Sequence, residues 1–329
     1  MIGIVYHPDF NKYDLGLEHP LVGDKPGKTI ELIKQKKLER KIDFFQPEKA
    51  TEEDLIKAHT KKYIEIIKNL SKTGGMLSLD TPAPKGIFEI ASLAAGGSKL
   101  CGKKVFEEYK IMMNPLGGFH HAGKNTSSGF CFFNDIAVTI EYLRFKHKIT
   151  RFLVLDTDVH HGNGTQEIYN EDPSVLNISI HQDGKTLYPG TGKISDIGKN
   201  QGIGYSVNLP LPPGTGSKPY LNSFEELIPP LIEQFKPEVI IWQSGVDTHH
   251  SDPLADINLS YQTFYTISEH MKKYSEKTCE KLIVLFGGGY NSEASVKSYY
   301  NIICALLEIE EHEHEFDRSY LRKYHHKLI

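Results

Sequence analysis

No run of about 18 apolar residues occurs anywhere in the 329-residue chain, so no segment is expected to cross a bilayer as a helix. Cysteine is scarce. Cys101, Cys131, Cys279 and Cys304 are scattered without a Cys-x-x-Cys pair, which argues against a disulfide framework and against a thiolate metal site. Met1 to Tyr6 is too short for a signal peptide and lacks its basic flank. Four reduced thiols in a cytoplasmic protein are expected, which makes the Asn125-Thr-Ser sequon irrelevant. An excess of one charge is missing too. The formal net charge is -4 with both signs interspersed, which excludes a dedicated nucleic-acid or anionic-membrane binder. No linker, fixed-period repeat or low-complexity segment divides the chain. A single domain over 1–329 is expected, with 309–329 as a charged carboxyl-terminal extension.

What is present is an alternation. Short runs rich in Val, Ile, Leu and Phe at 2–6, 111–113, 152–155, 175–180, 205–209, 239–242 and 282–286 read as buried parallel strands. Helical patterns fall between several of them, over 51–71 with a Thr-x-x-Asp start, 87–109, 134–146, 217–235, 260–279 and 292–307. The fold class is α/β, a three-layer α/β/α arrangement around a mainly parallel sheet. Ligands of such sheets bind beyond the carboxyl ends of the strands. The polar clusters lie there: Gly117-Gly-Phe-His120-His121, Asp156 to Asn163, Ser244-Gly-Val-Asp247 and Gly287-Gly-Gly-Tyr290.

Asp156-Thr-Asp158-Val-His160 follows the apolar run 152–155, and continued extension would turn Asp156, Asp158 and His160 to one side. Carboxylate oxygen with imidazole nitrogen suits zinc or a similar divalent ion. Asp247 is the candidate third ligand, leaving a position open for water and substrate. The alternative makes Asp247 a turn cap and His249 and His250 surface residues. His120 and His121 could divide the work of base and electrostatic stabiliser, with Asp156 and Asn163 orienting one each; the alternative is an inert, exposed pair. Tyr290, after three glycines, could present its hydroxyl to a carbonyl oxygen, or could be a packed aromatic at a turn. For the Glu/His-alternating stretch Glu308 to Phe316 a solvated helix end is expected rather than a metal site.

Gly117-Gly-Phe-His-His-Ala122, Gly129-Phe-Cys-Phe-Phe-Asn-Asp135, Asp156 to Thr165, Tyr188-Pro-Gly-Thr-Gly192, Asp247 and Gly287 to Tyr290, in that order, resemble the zinc-dependent histone deacetylase family, which includes acetoin utilisation proteins and acetylpolyamine amidohydrolases. The resemblance implies the arginase/deacetylase fold with eight strands. It implies that Asp158, His160 and Asp247 bind zinc, ferrous iron being the alternative. It makes His120 and His121 the active-site histidines, with Asp156 paired to His120. Water activated by zinc and His121 would attack an acetyl carbonyl whose oxyanion zinc and Tyr290 stabilise, and a histidine would protonate the leaving amine. Gly129, Phe130 and Tyr188 match the wall of a narrow acyl-lysine tunnel, Asp80 a rim carboxylate that grips substrate backbone, and Leu254 a rim position. A potassium ion would lie among Asp156, Asp158, the His160 backbone and Ser179.

Some positions depart from the family pattern. Asn163 stands where class I enzymes have Asp, while Gly117-Gly118 is unlike class II. The segment at His19-Pro20 lacks the usual Arg, with Lys25 and Lys28 nearby. Leu254 replaces the Glu that polyamine-specific relatives can carry, which favours acetyl-lysine in proteins over acetylpolyamines or other small acylated amines. A binding protein without turnover is the reading from a different class, and the complete catalytic set opposes it.

Overall fold

In the computed structural model, which describes residues 1–16, 18–21 and 23–316, eight parallel strands form one sheet in the order β2-β1-β5-β10-β9-β6-β7-β8. They are β1 (Ile2–Val5), β2 (Asp43–Phe45), β5 (Ile111–Asn114), β6 (Phe152–Asp156), β7 (Val175–Gln182), β8 (Ser206–Leu211), β9 (Val239–Gln243) and β10 (Leu282–Leu285). A separate antiparallel hairpin pairs β3 (Gly75–Ser78) with β4 (Thr81–Ala83).

The central strands are apolar at every position because both faces are covered. Phe152 and Val154 join one core with Val239, Ile241, Ile283 and Leu285. Leu153 and Leu155 join the other with Ile240, Trp242, Leu282 and Val284. Helices α2 (Glu52–Ala58), α3 (Lys61–Thr73), α4 (Ile87–Val105) and α5 (Asp135–His147) cover the first core. Helices α1 (Lys25–Gln35), α7 (Ser217–Phe235), α8 (Tyr261–Thr278) and α9 (Ser292–Leu306) cover the second. The short α6 (Asn163–Tyr169) packs beside β7 and α5. No helix among the described residues is long and apolar enough to cross a membrane.

Every expected strand is present, and the eighth, β2, is a three-residue edge strand whose pattern of exposure hides it from any hydrophobic pattern. The single helix expected over 51–71 is two. Thr51 forms a capping box with Asp54, and Thr60 then caps a second helix through the Tyr63 N–H. The break between them frees His59 to bridge the Gly123 carbonyl at 3.0 Å and the Asn134 N–H at 2.9 Å, tying these helices to the loop beyond β5. The stretch Glu308 to Phe316 is not a solvated helix end: α9 stops at Leu306, and the chain folds back on α8 and α9. The rest of the expected extension, 317–329, lies outside the described residues.

Candidate active site and metal centre

The four polar loops follow β5, β6, β9 and β10, which lie side by side in the order β5-β10-β9-β6. Parallel strands place all four loops at one edge. Strand β6 stops at Asp156, so the backbone turns before Asp158 and the expected shared face does not form. Asp156 instead accepts from His120 Nδ1 at 2.6 Å, while Asp158 and His160 meet Asp247.

His160 Nδ1 lies 3.0 Å from Asp158 Oδ1 and 3.1 Å from Asp247 Oδ2. Ligand atoms on a tetrahedral ion with bonds of about 2.0 Å stand about 3.3 Å apart, so the set fits a divalent cation. The oxygens turned away are committed: Asp158 Oδ2 accepts from the Gly288 N–H at 2.9 Å and from Gln243 Nε2 at 3.0 Å, and Asp247 Oδ1 from the Val159 N–H at 2.8 Å. Each carboxylate thus offers the cation one oxygen. Gly288 has to be glycine here, because a Cβ would come within 2.2 Å of Asp247 Oδ2. Burial and repulsion from Asp158 push the Asp247 carboxyl up, and burial alone would lower His160, yet its two carboxylate neighbours hold it to about 10. A cation would displace that proton and take its place between the carboxylates.

The two histidines beyond β5 differ sharply. Burial would depress His120, but the charges of Asp156 and Asp158 outweigh it and hold the ring protonated up to about 9. Burial and the neighbouring His120 push His121 well below its ordinary value. His121 Nδ1 meets Asn163 Oδ1 at 2.6 Å, so this nitrogen carries the proton and Nε2 keeps its lone pair. The ring centroids are 4.0 Å apart. Asp135 sets this loop by accepting from the Gly118 and Phe119 N–H groups at 3.0 and 2.7 Å.

Phe130 and Tyr188 wall the approach. Phe130 meets the Tyr290 ring edge to face at 5.7 Å, and Tyr188 meets His121 at 5.3 Å. Gly129 and Phe130 both have positive φ, +55° and +68°, and at Gly129 a Cβ would come within 2.0 Å of His121. Asp80 has a structural task. Its Oδ2 accepts from the Gly129 N–H at 2.9 Å and its Oδ1 from the Ser78 and Thr81 hydroxyls, while Thr81 takes the Phe130 N–H at 3.1 Å. The hairpin therefore holds the Gly129-Phe130 turn in its unusual conformation. Leu254 is partly buried, with its N–H on Asp252 at 3.0 Å. Ser179 pairs in register with Asp156, and its hydroxyl lies 2.8 Å from His181 Nδ1.

A narrow cavity reaches from His120, His121 and Asp158 past Tyr290 to Lys25. Of the two lysines flagged near His19, Lys25 turns inward: its Nζ donates to the Gly289 carbonyl at 2.7 Å and lies 5.5 Å from the centre of the Tyr290 ring. Lys28 instead pairs with Asp24 at the surface. Burial lowers the Lys25 pKa, opposed by Asp247 and Asp252. Burial raises the Tyr290 phenol well above its usual value, so it stays a donor, and Asp252 anchors its backbone N–H at 2.7 Å. Gln243 and Asp252 escaped the sequence reading. Gln243 is signalled only as the one polar residue closing an apolar strand.

A model of the histone deacetylase domain matches residues 19–306. The chain is 36% identical over 301 residues to a probable deacetylase of Archaeoglobus fulgidus, covering 89% of this chain and 82% of that protein. It is 39% identical over 270 residues to a histone deacetylase-like amidohydrolase of Pseudomonas aeruginosa, covering 80% and 68%. The crystal structure of the HDA15 HD domain is similar with a TM-score of 0.85 at 28% identity, covering 93% of this chain and 90% of that one.

Proposed function

The chain belongs to the histone deacetylase family, and from that premise we propose that it is a zinc-dependent deacetylase acting on acetylated lysine side chains of proteins. Membership makes it a hydrolase of amides. The observation that carries the finer reading is the Asp158, His160 and Asp247 set beside a histidine with a bare Nε2 and a protonated Tyr290, approached between Phe130 and Tyr188.

Zinc on that set supplies Lewis acidity toward the acetyl carbonyl and makes water more acidic. His121 accepts the proton of the attacking water at Nε2, with its Nδ1–H fixed on Asn163, and the same nitrogen delivers a proton to the leaving amine. His120 stays charged beside it through Asp156 and stabilises the negative charge of the transition state. Tyr290 donates its hydroxyl to the carbonyl oxygen as charge develops there. Lys25, the only lysine or arginine lining the cavity among the described residues, offers a cation to the carboxylate of released acetate.

The aromatic walls fit an apolar four-carbon stem carrying a neutral amide. Leu254 supplies no carboxylate for a polycationic substrate, which favours lysine in a protein over a polyamine. Potassium near Asp156, Asp158 and Ser179 is part of the same reading. Four free cysteines support a reducing, cytoplasmic setting.

The test is turnover of acetyl-lysine peptides and acetylpolyamines by the protein loaded with zinc or with ferrous iron. Acetate release from the peptides, lost with a chelator and restored by zinc, is expected. A clear preference for acetylpolyamines would overturn the substrate, a higher rate with iron the metal, and no release from any acetylated amine the enzyme itself.

A further inference from the structure

Outside the active site, the described residues bring one other cluster of metal-type side chains together, His249, His250 and Glu315. His249 and His250 sit in the loop between Asp247, a candidate metal ligand, and Asp252, which holds the Tyr290 N–H. Glu315 comes from the chain end, 65 residues beyond His250. We propose that segment 307–316 is a strap that positions the active site, with Glu315 holding the loop 247–252 where Asp247 meets the metal and Asp252 meets Tyr290. The roles of Asp247 and Tyr290 in this statement rest on the deacetylase reading above.

The Glu315 carboxylate accepts from His249 Nε2 at 2.8 Å, His250 Nε2 at 2.9 Å and the Tyr261 N–H at 3.0 Å. Its backbone is tethered independently. Asn301 on α9 exchanges two hydrogen bonds with the Glu313 backbone, at 2.8 and 2.9 Å, and Gln262 on α8 donates to the Glu315 carbonyl at 2.7 Å. His312 stacks on Tyr265 with centroids 3.9 Å apart. The carboxylate is thus delivered from a backbone fastened to two helices, and its grip on the loop is geometrically defined.

From the histidines the connection to the site is short. The His249 N–H donates to the Val246 carbonyl at 3.1 Å and the Asp252 N–H to the His249 carbonyl at 2.9 Å, so His249 links the residue before Asp247 to Asp252. The His249 ring is wedged against Tyr261, with centroids 4.6 Å apart. Without Glu315, two largely buried ring N–H groups lose their acceptor, and the loop has reason to rearrange toward water.

The cluster is a clamp and not a second metal centre. The Ser251 N–H donates to His249 Nδ1 at 3.2 Å, which places the ring proton on Nε2, the nitrogen facing Glu315. With that proton in place the contact is a complete hydrogen bond without an ion, and a metal would first have to displace it.

The test compares wild type, Glu315→Gln, Glu315→Asp and, as a control on the same segment, Glu310→Gln, all as full-length zinc-loaded protein. The readouts are kcat and KM separately, the rate of zinc loss to a chelator, and zinc per chain. Glu315→Gln is expected to lower kcat and to speed zinc loss, each by about 10-fold, with KM unchanged and with Glu315→Asp and Glu310→Gln nearer wild type. Unchanged kcat and zinc retention in Glu315→Gln would overturn the strap, even if its melting temperature falls. A second zinc in wild type that Glu315→Gln loses would overturn it in favour of a metal centre. If wild type turns over no acetylated amine, the deacetylase reading fails alone, and zinc retention still decides the strap.

Discussion

Of the His-His dipeptides on loops at this edge of the sheet, two are wired in opposite senses. His120 and His121 have their Nδ1 atoms taken by two different acceptors, Asp156 and Asn163. Both Nε2 atoms therefore remain for chemistry. His249 and His250 have their Nε2 atoms taken by one shared acceptor, Glu315. The first pair gains chemical individuality from unlike partners, one anionic and one neutral. The second is spent on holding the chain together, and His250 Nδ1, a buried polar atom, has no hydrogen-bond partner among the described residues. Adjacent histidines therefore acquire different functions from which ring nitrogen is occupied and by what.

Removing the base breaks the comparison most severely. His121→Ala is expected to reduce kcat by about 10² to 10⁴, whereas His250→Ala should cost no more than the roughly 10-fold expected of Glu315→Gln; similar losses in a steady-state assay would mean that the two pairs do not differ as described. Asp156→Asn is next, with a loss of about 10- to 100-fold, because His120 then no longer holds its charge through the reaction. A rate indistinguishable from wild type would dismiss that charge.

A smaller effect sharpens the contrast within the first pair. Asn163→Asp gives His121 the anionic partner that His120 already has, which raises the pKa of the base. The acid limb of kcat/KM should move to higher pH; a limb that stays in place would show that Asn163 does not set the basicity of His121. The last test concerns the second pair and reads stability. Histidine contacts hold Glu315 at about 2, below its ordinary 4.5, although burial opposes them. A depressed carboxylate stabilises the fold fully above its unfolded pKa, and the gain is lost as pH falls through the folded one. The melting-temperature difference between wild type and Glu315→Gln should therefore be full above pH 4.5 and shrink as pH drops toward 2. A difference that grows on acidification would reverse the assignment.

Much of this molecule is legible in the chain because a parallel sheet covered on both faces needs continuous apolar strands, and such runs stand out at 152–155, 239–242 and 282–286. Polar residues just after those runs have to share one edge. That geometry made Asp158, His160, Asp247, the histidines and Tyr290 candidates before any contact was known. What failed to show were elements without a pattern of their own. Strand β2 is short and partly exposed, the break at His59 serves a contact with Gly123 and Asn134, and α1, which carries Lys25 to the cavity, opens on Pro26-Gly27, a pair that reads as a turn.

The chain by itself determined that four ligand-bearing loops meet, since strand direction and alternating layers leave them no other place. Only the tertiary structure decided what each side chain does there. Asp156 could have been a ligand until β6 ended and turned it to His120. Asp80 could have met only substrate until the hairpin placed it under Gly129, and Glu315 was a charge in a polar tail until α8 and α9 fixed its backbone beside His249. The physical reason is range: strand and helix patterns come from neighbours a few residues apart, whereas hydrogen-bond partners such as His250 and Glu315 are set by directional contacts between segments far apart in the chain.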